Sequence, residues 1–506
     1  MSQKVFYTQS SCIELQLIVY VLLGRGTLAE KLCFPKNFLF GVSTSAFQIE
    51  GAWNYSDKGE SIWDRYTHQH PERVFDHTNA DVAADSFHHL REDIKLLKEL
   101  GVQYYRFSIA WSRVLPTGFS NVVSADGVKY YNTLIDELIA AGIKPLVTMY
   151  HYDLPQSLQD LGGWTNPAVA DYFKDYARVL FNTFGDRVEG WITFNEPYTF
   201  CLSGYGGNDA PGMQSSGFET YLCGHNILRA HAMTYHLYHN EMDARGFITI
   251  TLDMSWMEAA TKDDEDAAER ARQFIFGWFA HPILSKEGDY PPVMRQRIDE
   301  LSRKQNFPRS RLPVFTPEEV KSLKGTVEII GLNTYSAYLV SEGHSKVDKT
   351  PSFQNDMNVS LRQDPTWPRS NSSWLRDVPW GFRKILNWIK ETYNNPPIVV
   401  TENGVSTVPG LKDVSRVSYI DGHLRALHAA IVEDKVDVRG YTYWSLIDNF
   451  EWMRGFSERF GLYEVDYASA NKRRTPRLSA AYYSNVARTS CLPTPQAVTW
   501  LRNHLQ

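Results

Sequence analysis

Short apolar runs, rich in β-branched and aromatic residues, alternate along this chain with longer stretches whose apolar residues recur every three or four positions. The short runs cover 38–47, 104–111, 144–152, 190–195, 247–254, 328–338, 398–401 and 439–445, and they predict strands. Between the first two, Phe87, Leu90, Ile94, Leu97 and Leu100 fall on one helical face, and Gly101 follows as a stop. Val128, Tyr131, Leu134, Ile135 and Leu138 form the next stripe, closed by Gly142, and Tyr172, Tyr176, Val179, Leu180 and Phe184 form a third.

Strands joined by helical crossovers must run parallel, because a connection of that length returns the chain to the same edge. Strand–helix units repeated in this way predict an α/β fold, a single (β/α)8 TIM barrel, rather than an open doubly wound sheet. The open sheet of a nucleotide-binding protein would carry a glycine-rich phosphate loop after its first strand, and residues 38–50 contain no GxGxxG. In a barrel the chemistry gathers at the carboxyl ends of the strands. The insertions 51–80, 201–218 and 339–380, rich in Trp, Asn and Gly, are expected as long loops over that face.

The amino terminus differs from the rest. Lys4 precedes a polar stretch, residues 15–23 are apolar, and Thr27 and Ala29 supply small residues for a cleavage site. This reads as a secretory signal over 1–29, leaving 30–506 as the barrel domain and an extracellular location; Glu14 and the polar start are untypical, and a frayed terminus is the alternative. Cys12 would leave with the signal. Cys33, Cys201, Cys223 and Cys491 remain, an even number compatible with disulfides, and Cys201 with Cys223 could close one loop. Their spacing fits no zinc pattern, so no metal is expected. Glycosylation sequons begin at Asn54, Asn358 and Asn371.

Composition narrows the function classes. With 43% hydrophobic and 22% charged residues, the chain is neither disordered nor collagen-like. A net charge of −6 without a basic stripe argues against a nucleic-acid partner, and KRRTPR at 472–477 reads as a solvated turn. No apolar run approaches the roughly 20 residues of a membrane span. The aromatic content of 13% fits either a large core or platforms for sugars. Oligomeric state has no signature.

Two glutamates stand out. Glu196 in TFNEP follows the fourth apolar run, and Glu402 in VVTENG follows the seventh. A carboxylate at the edge of a packed interior is costly unless it is paired or functional. Strands four and seven lie across a barrel from one another, so the two carboxyl groups could converge from opposite sides. Paired carboxyl groups roughly 5 Å apart are what double displacement at a sugar carbon needs. One donates a proton to the leaving oxygen, and the other attacks the anomeric carbon.

The segment FLFGVSTSAFQIEGA (38–52) resembles the amino-terminal signature of glycoside hydrolase family 1, the β-glucosidase family, and IVVTENGVS (398–406) is similar to its nucleophile signature. TFNEP, HYDLP and WSLIDNFEW match its other blocks in order. The resemblance implies a retaining mechanism without cofactor on small-molecule β-glycosides or oligosaccharides, with Glu402 as nucleophile and Glu196 as acid, then base. Arg106, at the end of strand two, would pair with Glu402 and keep it ionised, and Tyr335 would donate to the same carboxylate. Gln48, His151, Asn195, Glu451 and Trp452 would hydrogen-bond the terminal sugar, Trp444 would lie under its apolar face, and Trp374 would be a platform for the aglycone. Gln48 and Glu451 together suit adjacent hydroxyls, as in glucose, galactose or fucose. Tyr152 stands where the family commonly has Trp, and Thr334 where an aromatic or His is common. Neither is expected to touch the carboxylates, so both bear on specificity.

A β-glucosidase acting on O-glycosides is the leading reading. A thioglucosidase of the myrosinase type stays open; the plant type replaces the acid glutamate with Gln, which Glu196 argues against, while animal thioglucosidases keep both. A transglucosidase would share these residues, and a catalytically inactive sugar-binding relative would lack one of the glutamates.

Overall fold

A computed structural model describes residues 32–242, 246–343 and 350–505. The proposed signal at 1–29 lies outside the described residues. Eight strands close a barrel: β1 (Leu39–Ser43), β2 (Tyr104–Ser108), β3 (Lys144–Tyr150), β4 (Gly190–Asn195), β5 (Phe247–Asp253), β6 (Ile330–Asn333), β7 (Ile398–Asn403) and β8 (Val438–Trp444). Neighbours pair in parallel, and β1 closes the circle against both β2 and β8. The (β/α)8 expectation therefore holds.

The helices follow the apolar stripes. The helix Ser86–Leu100 buries Leu90, Ile94, Leu97 and Leu100, and Gly101 ends it with a φ of +73°, which costs glycine little. The helix Ala125–Ala140 buries Tyr131, Leu134, Ile135 and Leu138 and starts at Ser124, whose side chain accepts from the Gly127 amide. The helix Ala168–Phe184 buries Tyr176, Leu180 and Phe184. Each such side chain contributes roughly 1.5–3 kcal/mol by leaving water.

Inside the barrel, Tyr104, Leu146 and Ile192 pack with Phe247 toward the amino ends of their strands. Gly41 makes room for this plug, since a Cβ there would come within 2.3 Å of the Tyr104 ring. Polar side chains occupy the level above.

Four expectations are corrected. The run 38–47 is not all strand: β1 stops at Ser43 and Ala46–Ile49 turns into a short helix. The run 328–338 divides into β6 and a second strand, Ala337–Glu342, which leaves the barrel and pairs with Trp256–Ala259 and Val359–Arg362. β7 runs on to Asn403, so Glu402 lies within the strand. KRRTPR is not a solvated turn. Arg474 is buried against Asp93 (2.9 Å), and Arg477 forms two 2.8 Å bonds to buried Asp448, because each guanidinium finds a carboxylate in the interior.

Disulfides join Cys201 to Cys223, as the spacing allowed, and Cys33 to Cys491, tying the start of the described chain to its last segment. No described helix is long and apolar enough to cross a membrane.

Candidate active site

A cavity of about 420 Å³ opens at the carboxyl end of the barrel. Its lining includes Glu196, Glu402, Gln48, His151, Asn195, Trp374, Trp444, Glu451, Trp452 and Tyr335, so the predicted residues converge on one place. Arg106 lies beneath them. It sits at the centre of β2 rather than at its end, and its long side chain reaches the site through the barrel interior.

Both glutamate-bearing strands lose regular register shortly before the glutamate. The pairing of β4 with β5 shifts between Ile192 and Asn195, and that of β7 with β6 shifts between Val400 and Glu402. Such irregularities re-aim side chains at the rim of a barrel. Glu196 itself has a φ of +48°, a left-handed conformation that non-glycine residues avoid at a cost of about 1–3 kcal/mol. Pro197 starts the short helix Pro197–Phe200 directly after it.

The two carboxyl groups have opposite surroundings. Glu402 accepts from Arg106 Nη1 at 2.5 Å on one oxygen and from the Tyr335 hydroxyl at 2.6 Å on the other. Among the described residues, Glu196 has no cation partner. Its Oε1 accepts from Asn333 Nδ2 at 2.7 Å, and its Oε2 is hydrogen-bonded to the Tyr152 hydroxyl. Burial pushes the Glu196 carboxyl well above the usual carboxylate range, and the negative charges of Asp253 and Glu402 add to that rise.

A polar network joins the two halves. Arg106 Nη2 donates to Asn195 Oδ1 (2.7 Å), and Asn333 Nδ2 donates to the same oxygen (3.0 Å) as well as to Glu196. Thr401 Oγ1 donates to Asn333 Oδ1 at 2.7 Å, which orients that amide. Because Asn195 Oδ1 accepts twice, its Nδ2 is the donor to His151 Nε2 (3.1 Å). That leaves the His151 proton on Nδ1, which is buried without a partner among the described residues. Burial, followed by the Arg106 charge, holds His151 well below its ordinary pKa, so the ring is neutral.

At the other end, Gln48 Nε2 donates to Asn449 Oδ1 and the Phe450 carbonyl, each at 2.9 Å, and more weakly to Glu451 Oε2 at 3.3 Å. Burial, then Glu458 and Glu402, raises Glu451 to about 8. Trp444 is buried and stacks on His151 with ring centres 5.8 Å apart. Trp374 is 40% exposed and meets the Tyr335 ring edge-on at the mouth.

Two neighbours in the cavity, Asp253 and Asn333, escape sequence reasoning, and a third, Tyr152, sits differently from expectation. Asp253 ends β5 inside the cavity; its Oδ2 accepts from Thr199 at 2.7 Å, its Oδ1 has no partner among the described residues, and burial raises the group to about 7. The strand-end rule that picks out Glu196 applies to it equally. Asn333, one residue from the predicted Thr334–Tyr335 pair, bridges the two halves. Tyr152 corrects an expectation: it does touch a carboxylate, because a φ of +73° turns its ring toward Glu196.

An eight-stranded parallel barrel whose carboxyl end gathers two buried glutamates in one cavity defines a glycoside-cleaving enzyme. Residues 30–491 match the family described as Glycosyl hydrolase family 1, and the chain belongs to that family as a retaining β-glycosidase. It is 46% identical over 463 residues to Myrosinase 1 of Brevicoryne brassicae, spanning 90% of this chain and 98% of that protein. It is 41% identical over 473 residues to the cytosolic beta-glucosidase of Cavia porcellus, spanning 92% and 100%. The structure of aphid myrosinase matches with a TM-score of 0.86 at 45% identity, covering 90% of this chain and 99% of that one.

Proposed function

We propose that the chain hydrolyses terminal β-D-glucosyl residues from O-glycosides by double displacement. The observation that carries this reading is the contrast between the two carboxyl groups: Glu402 lies against Arg106 and Tyr335, while Glu196 is buried beside Asp253 and Glu402 with no cation among the described residues. Glu402 attacks C1 as the bond to the glycosidic oxygen breaks, and that oxygen takes the proton of Glu196. Glycosylation removes the charge of Glu402, so the carboxylate of Glu196 then accepts a proton from water as the water oxygen displaces Glu402 from C1.

Asn195 binds the 2-hydroxyl, and His151, Gln48, Glu451 and Trp452 hold the other hydroxyls over Trp444. The protonated Glu196 suits poor leaving groups, which O-glycosides have and thioglucosides do not need. Measuring kcat/KM for p-nitrophenyl β-glucoside against the anionic S-glucoside sinigrin tests the reading; a preference for sinigrin would overturn it. Two disulfides and the exposed sequon residues Asn54 and Asn371 support a secreted protein, to be tested by deglycosylating material expressed through a secretory pathway.

A further inference from the structure

The hydrogen bonds around Glu196 distinguish its two oxygens. Asn333 can only donate toward Oε1, because its Oδ1 is taken by Thr401. An oxygen facing an N–H donor is the carbonyl-like one in a neutral acid, so the acidic proton belongs on Oε2. The only partner of Oε2 among the described residues is the Tyr152 hydroxyl, which can both donate and accept. Tyr152 is held for this contact. Its ring is caged by Trp452 (4.8 Å), His151 (5.2 Å) and Phe200 (5.7 Å), and both Tyr152 and Glu196 carry left-handed backbone conformations that turn them toward each other.

We propose that Tyr152 is a positioning residue for Glu196, whose hydroxyl accepts a hydrogen bond from the waiting acid and donates one to the carboxylate once the proton has left. The inference rests on Glu196 being the acid and base. In the first step the Oε2 proton passes to the glycosidic oxygen, the C1–O bond pair goes to that oxygen, and the Tyr152 hydroxyl turns to donate to Oε2. In the second step a water proton returns to Oε2 and the hydroxyl turns back. Tyr152 keeps its own proton throughout, since burial and then the Glu196 charge hold it far above the usual phenol range.

The other groups facing Glu196 do not offer this two-way contact. Asp253 on β5 and Glu402 on β7 act on it through their charge, with Glu402 bound to Arg106 from β2. His151, directly after β3, is bonded to Asn195, Tyr335 to Glu402, and Glu451 to Gln48.

The test is Y152F, with Y152L as a second removal of the hydroxyl that brings no new donor. Losing a donor to the carboxylate raises the Glu196 pKa, so the alkaline limb of kcat/KM moves up by about one unit. The acid limb stays in place. The loss of kcat/KM depends on the leaving group: about tenfold for phenyl β-glucoside, shrinking to about twofold for 2,4-dinitrophenyl β-glucoside, which departs with little protonation. An unmoved alkaline limb together with an equal loss on both substrates would overturn the proposal. E196A, assayed in parallel, separates it from the reading beneath it. A leaving-group-dependent loss in E196A with none in Y152F removes only the Tyr152 role, whereas a uniform loss in E196A removes the assignment of Glu196 itself.

Discussion

Arg106, Asn195, Asn333 and Glu402 form the floor of the cavity, come from four barrel strands, and are at most 4% exposed. Met254, Met257, Ile275, Leu361 and Trp374 form the outer wall and come from segments outside the barrel strands; the first three are buried, while Leu361 and Trp374 are 39% and 40% exposed. Floor residues bind one another through short hydrogen bonds, so displacing one disturbs several. Wall residues offer apolar surface with few polar constraints. Changing a floor residue is therefore expected to disturb the reaction geometry, and changing a wall residue is not.

Substitutions test that contrast. E402Q, which removes the attacking oxygen, is expected to lower kcat by at least about 10⁴-fold with aryl β-glucosides, and labelling by a 2-fluoroglucoside should vanish. Retained turnover would break the floor's role outright. E196A should cost about 10²–10⁴-fold with poor leaving groups, and added azide should restore turnover of activated substrates as a β-glucosyl azide product.

D253N gives a smaller effect with a defined sign. The Asp253 charge raises the Glu196 pKa, so neutralising it lowers that pKa, and the alkaline limb of kcat/KM should move to lower pH, opposite to Y152F. A pH–rate profile with the limb fixed or raised would contradict the coupling. W374A should change least: KM for aryl glucosides rises about fivefold, while methyl β-glucoside is barely affected. An equal loss on both substrates would mean that the wall also shapes the reaction geometry.

The unequal legibility of the two regions has the same origin. Glu196 and Glu402 stand out in the sequence because a carboxylate closing an apolar run needs a reason to be there, and Asp253 closes β5 in the same manner. Trp374 sits in a long insertion whose path no periodicity constrains. Tyr152 shows the limit from another side: its residue type is visible as a departure from a familiar pattern, but the reach of its hydroxyl depends on a left-handed φ and on the ring cage around it.

The chain by itself determined the alternation of strands and helices, and hence the barrel, because apolar spacing is a local property that sets which face of each element must leave water. It also pointed to Glu196 and Glu402 and passed over Asp253. Only the tertiary structure decided which oxygen of Glu196 faces Asn333 and which faces Tyr152, how Arg106 spans the interior to meet Glu402, and that Arg474 and Arg477 are buried. Those outcomes depend on register shifts, left-handed residues and partners distant in sequence, which no local pattern encodes.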